Sequence, residues 1–96
     1  MNKLIIAALA MAASASASAG CISGHWINNV AAMGKIVTLE NNAVLRIDDV
    51  DTVDSELWLT TEDLVICPVS GNRVEVINQD DSGSQVAHAT LISGSI

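Results

Sequence analysis

The chain has 96 residues, 50% of them hydrophobic but only 2% aromatic, and eleven acidic side chains against four Lys and Arg give it a net charge of −7. Nucleic acid and anionic lipid are bound by clustered Lys and Arg, and the few basic residues here are scattered, so both partner classes are excluded. A strongly acidic balance serves solubility first, and secondarily steers a basic protein partner.

From the N-terminus, Lys3 precedes the apolar run "LIIAALAMAA" at 4–13, which passes into alternating Ser and Ala ending at Ala17, Ser18 and Ala19. This is the three-part layout of a secretory signal peptide, with Ala17 and Ala19 as the small residues before a cut at Gly20. The apolar run is about half of the ~20 residues a bilayer span requires. A leader over 1–19 and a single domain over 20–96 are expected, with no membrane span after cleavage. The destination is the periplasm in preference to the extracellular medium or a lipid anchor. Removing Lys3 leaves three basic residues against eleven carboxylates. A domain this small has a thin core and gains from a covalent staple.

The remainder alternates short β-like runs with turn chemistry. "HWINNVAAMG" at 25–34 is read as a first strand that turns at Gly34. "GKIVTLE" directs Val37 and Leu39 to one face, and "AVLRID" does the same with Leu45 and Ile47. Asn41 and Asn42 between them predict a two-residue hairpin, because Asn tolerates positive φ. In "TVDSELWLTTEDL", Val53, Leu57 and Leu64 fall at roughly helical spacing and Thr60 with Asp63 resembles a cap, so a loop with one helical turn is expected. "DLVICPV" is a nearly continuous run of β-formers that predicts a central strand covered on both faces and ended by Pro68. After the "SGN" turn, "RVEVIN" buries Val74 and Val76. "NQDDSGS" is a polar turn, and "QVAHATLI" is a last strand with Ala87, Ala89 and Leu91 facing the core.

Five or six short strands joined by tight turns close most economically on themselves. The expected fold is all-β, a small SH3-like or similar five- to six-stranded barrel with one short helical turn. The series Trp26, Gly34, Val37, Leu39, Leu45, Trp58, Leu59, Asp63, Val65 and Val76 to Asn78 resembles small exported bacterial proteins with SH3-like barrels and no assigned activity. That resemblance implies a fold and no reaction. Proline-rich peptides bind SH3 domains in an aromatic-lined groove, and a chain without Tyr or Phe lacks the residues for one.

Cys21 and Cys67 are the first candidate pair. An even cysteine count in an exported small domain points to a disulfide. Two other fates stay open. Cys21 follows Ser18, Ala19 and Gly20 as an acylated first residue would, although a lipobox prefers Leu where Ser18 stands. Cys21, His25, Cys67 and His88 have the chemistry of a zinc site but not its paired spacing. Among carboxylates, Asp48, Asp49, Asp51 and Asp54 in "DDVDTVDSE" make an oxygen-rich loop of the kind calcium binds, without the Gly an EF-hand loop needs. "NQDDSG" places Asn78, Asp80, Ser82 and Gly83 at calcium-like positions, but Ala89 falls where the closing Glu belongs. A solvated loop and an ordinary turn explain both runs as well.

No Gly-x-Ser-x-Gly surrounds any Ser, and no catalytic constellation or cofactor motif stands out, so neither an enzyme nor a cofactor is expected. Trp26 and Trp58 are either core residues or, where exposed, anchors for a protein or glycan. The leading expectation is an exported non-enzymatic barrel that binds a protein or cell-envelope component. The alternatives are a metal-binding structural protein, using calcium at the acidic loop or zinc through Cys and His, and an inhibitor of a basic extracytoplasmic enzyme.

Overall fold

The computed structural model describes residues 20–80 and 86–96. The expected leader over 1–19, and Ser82 and Gly83 of the last polar turn, lie outside the described residues. Six strands are present: β1 Ile22–Ala31, β2 Ile36–Leu39, β3 Val44–Ile47, β4 Asp63–Ser70, β5 Arg73–Asn78 and β6 Val86–Ser93. They form a closed barrel in the order β1-β2-β3-β6-β5-β4, antiparallel at each seam including the β4 to β1 closure.

Alternation builds the core. Val37 and Leu39, Leu45 and Ile47, Leu64 and Ile66, Val74 and Val76, and Ala87 and Ala89 all point inward and are buried, joined by Ile27, Ala43 and Trp58. Leu91 is only partly buried and packs against this cluster. β1 serves two neighbours: Ile22, His25 and Trp26 pair with β4, whereas Ile27 to Ala31 pair with β2. Irregularities between Ile22 and His25 and between Ile27 and Asn29 bend the strand at the corner, which is how bulges let one strand turn between sheets.

Three local expectations need correcting. The β2–β3 connection is a three-residue loop, not a two-residue turn: the Asn42 amide donates to the Leu39 carbonyl at 2.9 Å, and the Leu39 amide donates to the Ala43 carbonyl at 2.9 Å. Asn42 does take positive φ, 71°. Asn41 instead brackets the loop, its Oδ1 accepting from the Ala43 amide at 3.0 Å and its Nδ2 donating to the Ser95 carbonyl at 2.9 Å.

β4 is not covered on both faces, because a closed barrel has a dry inside and a wet outside and no central strand. Leu64 and Ile66 are buried while Val69 is exposed. The strand also runs past Pro68, which pairs with Val74. The last β1 partner is Ile66, so Pro68 lies where only one side of the strand is laddered and its missing N–H breaks no bond there.

The expected single helical turn is present, but it lies before Thr60 and not after it. A 3-10 turn at Asp49–Asp51 runs into α1, Thr52–Ser55, with a Glu56 amide to Thr52 carbonyl bond closing it. No helix starts at Thr60. Thr61 has φ 72° and its amide donates to the Ile27 carbonyl at 2.7 Å, which docks the 59–62 loop against β1.

Gly34 explains how the helical segment seats. At φ +88°, a Cβ there would stand 2.7 Å from Glu56 Cα and 2.8 Å from Ser55 Oγ. Only a glycine permits that approach. The buried Ser55 hydroxyl uses it to donate to the Gly34 carbonyl at 2.6 Å.

Candidate functional site

Cys21 and Cys67 are joined in a disulfide, and no cysteine is left free among the described residues. Both thiols of the zinc set are therefore consumed, which removes that site. Because Ile22 pairs with Ile66, the cysteines are cross-strand neighbours one step further along. The bridge thus stitches the seam that closes the barrel, at the end where β1 pairing with β4 stops.

The two tryptophans part company. Trp58 is 3% exposed and belongs to the core, so its indole is not offered to a partner. Trp26 is 41% exposed and stands on the outside of β1. Its backbone is held firmly: the Trp26 amide donates to Glu40 Oε1 at 2.9 Å, and the Glu40 amide donates to the Trp26 carbonyl at 3.0 Å. The same carboxylate meets His25 Nδ1 at 2.9 Å. Partial burial opposes ionisation of Glu40, but the Trp26 amide and the His25 ring outweigh it and hold the carboxyl below its usual range. Nothing local in the sequence marks Glu40, since its partners lie fourteen and fifteen residues away.

The acidic residues of 48–54 do not converge. Asp48 takes a two-pronged hydrogen bond from Arg73 at 2.7 and 2.8 Å, and this holds its carboxyl below the usual range while raising Arg73. Asp49 faces Lys35 at 4.0 Å. Asp51 Oδ2 accepts from the His88 amide at 2.8 Å and lies 3.0 Å from His88 Nδ1. Asp54 is half-buried in α1. Among the described residues, no three His, Cys, Asp or Glu side chains gather where they could hold a metal ion. Asp48 and Asp51 are instead structural, tying the helical segment and its approach to β5 and β6.

A second polar cluster was not legible beforehand. Asn78 is fully buried; its Nδ2 donates to Glu62 Oε1 at 2.9 Å and its Oδ1 accepts from the Asp80 amide at 2.9 Å. Glu62 Oε1 also accepts from the Leu59 amide at 2.8 Å, and Asp80 Oδ2 from the Asp63 amide at 2.7 Å. Asn78 and Asp80, read as calcium-like positions, thus hold the loop entering β4, Asn78 by donating to the Glu62 carboxylate and Asp80 by accepting from the Asp63 amide.

The apolar residues of the helical segment face the other way from what their spacing implied. Val53 and Leu57 are exposed and Leu64 belongs to β4, whereas Ser55 and Trp58 point inward. Val50, Val53 and Leu57 form an outward apolar stripe. The readable signal was a doubled pattern in one segment, Asp51, Ser55 and Trp58 at i, i+4, i+7 against Val50, Val53 and Leu57 at i, i+3, i+7. Compared with known proteins, the chain matches no family model, no curated protein and no solved structure.

Proposed function

We propose that the protein is an exported, non-enzymatic binding module whose partner is a protein or a cell-envelope component. One observation carries this reading: the barrel interior is filled by its own side chains, while a large indole, Trp26, stands on the outside with its backbone fixed from both directions by Glu40. An exposed aromatic on a rigid strand loses little conformational freedom when a partner covers it, which suits it to be an anchor.

Export is supported by the signal-peptide layout of 1–19 and by the Cys21–Cys67 disulfide, a bond that persists in oxidising compartments. No helix among the described residues is long and apolar enough to cross a membrane. The periplasm is the compartment that accommodates these features together. The closed six-stranded antiparallel barrel is compatible with a kinship to small exported bacterial SH3-like proteins.

Affinity capture from a cell-envelope extract, run in parallel with the wild-type protein and Trp26→Ala, tests the reading. A species retained by the wild type and lost by the variant is expected. Retention of the same species by both, or of none, would count against it.

A further inference from the structure

The helical segment 49–58 presents two faces with opposite fates. Its inner face is clamped to the barrel by Asp51, which accepts from the His88 amide, by Ser55, which donates to Gly34, and by Trp58 in the core. Away from these anchors, Val50 in the 3-10 turn, Val53 in α1 and Leu57 just after it are 81%, 62% and 70% exposed. Valine is a poor helix former, so neither local propensity nor core packing accounts for two of them standing outward on a helical turn. Met33, next to the Gly34 contact, is exposed as well.

Charge decides what fits there. In sequence, Asp49, Asp54 and Glu56 each stand next to one of these residues, with Asp49 and Glu56 exposed and Asp54 half-buried. Lys35 lies 4.0 Å from Asp49, but both side chains are well exposed and such a pair neutralises little. A second copy of the chain would set these carboxylates against their own equivalents, since a two-fold interface brings the same patch to both sides. An anionic membrane surface is repelled for the same reason. A cationic polypeptide has the complementary sign.

We propose that Val50, Val53 and Leu57, bordered by Asp49, Asp54 and Glu56, form a docking surface for a cationic amphipathic segment of a protein partner. Its apolar side chains cover the stripe and its Lys or Arg side chains meet the carboxylates. The three inward anchors order the surface before the partner arrives, so little additional ordering opposes binding. This rests on the reading of the protein as a binding module, but uses a different surface from Trp26.

The test uses fluorescence anisotropy of a labelled Leu/Lys amphipathic helix of about 18 residues, with a Leu/Glu helix of the same pattern as its counterpart. The purified, disulfide-bonded protein should bind the first and not the second. Two triple variants should each weaken binding at least about tenfold: Val50→Ser with Val53→Ser and Leu57→Ser, and Asp49→Asn with Asp54→Asn and Glu56→Gln. Five of the six positions are exposed and Asp54 is half-buried, and an unchanged melting curve verifies that each variant is folded. Undiminished binding by the apolar triple variant would reduce the effect to charge adsorption and overturn the proposal. So would self-association in sedimentation, or binding to zwitterionic vesicles, that the apolar variant abolishes. If the Leu/Lys helix does not bind while Trp26-dependent capture persists, the stripe assignment falls and the binding-module reading stands. If the helix binds through the stripe and Trp26→Ala captures everything the wild type does, the stripe stands and the Trp26 anchor falls.

Discussion

Replacing Gly34 with alanine should be the most damaging single-methyl change in this protein. The new Cβ would sit 2.7 Å from Glu56 Cα and 2.8 Å from Ser55 Oγ. Because the first of these is backbone, no side chain can rotate away; the helical segment has to lift. A left-handed backbone costs a non-glycine residue roughly 1–2 kcal/mol. Lifting the segment also breaks the buried Ser55 to Gly34 hydrogen bond, and leaving such a group unsatisfied costs about 1–3 kcal/mol. The two together come to about 3 kcal/mol, a large part of the stability of a small domain. Ser55→Ala removes the hydrogen bond without the clash and should account for only the second share. Urea denaturation followed by tryptophan fluorescence reads both, since the buried Trp58 lies at the end of the same segment. At a slope of roughly 1 kcal/mol per molar for a small domain, Ser55→Ala should lower the midpoint by about 1–3 M and Gly34→Ala by about 1–2 M more than that. A Gly34→Ala midpoint equal to that of the wild type, or no lower than that of Ser55→Ala, would refute the close approach.

Reduction of the Cys21–Cys67 disulfide, or Cys21→Ser with Cys67→Ser, should cost about 4 kcal/mol in the chain-entropy model for a sequence separation of 46 residues. Denaturation with and without reductant checks it, and an intact mass two hydrogens below the dithiol confirms the bridge. Glu40 and Asp48 are both held below their ordinary values of 4.5 and 3.8. Each therefore contributes stability that is present above its unfolded-state value and is lost as pH falls through the lower folded one. Glu40→Gln and Asp48→Asn should each reduce stability at neutral pH and make its decline in acid shallower; an acid limb as steep as the wild type's would contradict the assignment. Acrylamide should quench one indole readily and the other hardly at all, and Trp26→Phe should remove the accessible component while Trp58→Phe removes the shielded one. EDTA should leave the melting temperature unmoved, because Asp48 and Asp51 already engage Arg73 and His88; a fall would restore a metal at the acidic loop.

Much of the barrel was legible because alternation is a local property. In "KIVTLE", "VLRID" and "RVEVIN" a period of two allows only one set of side chains to face the core, and Val37, Leu39, Leu45, Ile47, Val74 and Val76 are that set. Continuous runs carry no such information: "DLVICPV" predicts two covered faces, and the strand has one. The helical segment defeated pattern reading for another reason. It holds two stripes, one apolar and outward, the other anchored through Asp51, Ser55 and Trp58, and hydrophobicity alone selects the wrong one.

By itself the amino-acid order determined the β class and the inward residues of the alternating strands, and it left Cys21 and Cys67 as the one possible disulfide; that they form it is seen in the structure. Tertiary structure alone decided that β4 closes onto β1, that Trp26 is outside and Trp58 inside, and that Glu40, Asp48 and Asp51 serve backbone amides and side chains of other strands. The three carboxylates reach partners 14 to 37 positions away. No local period encodes these contacts, because they exist only once the chain has closed and brought separate strands within hydrogen-bonding distance.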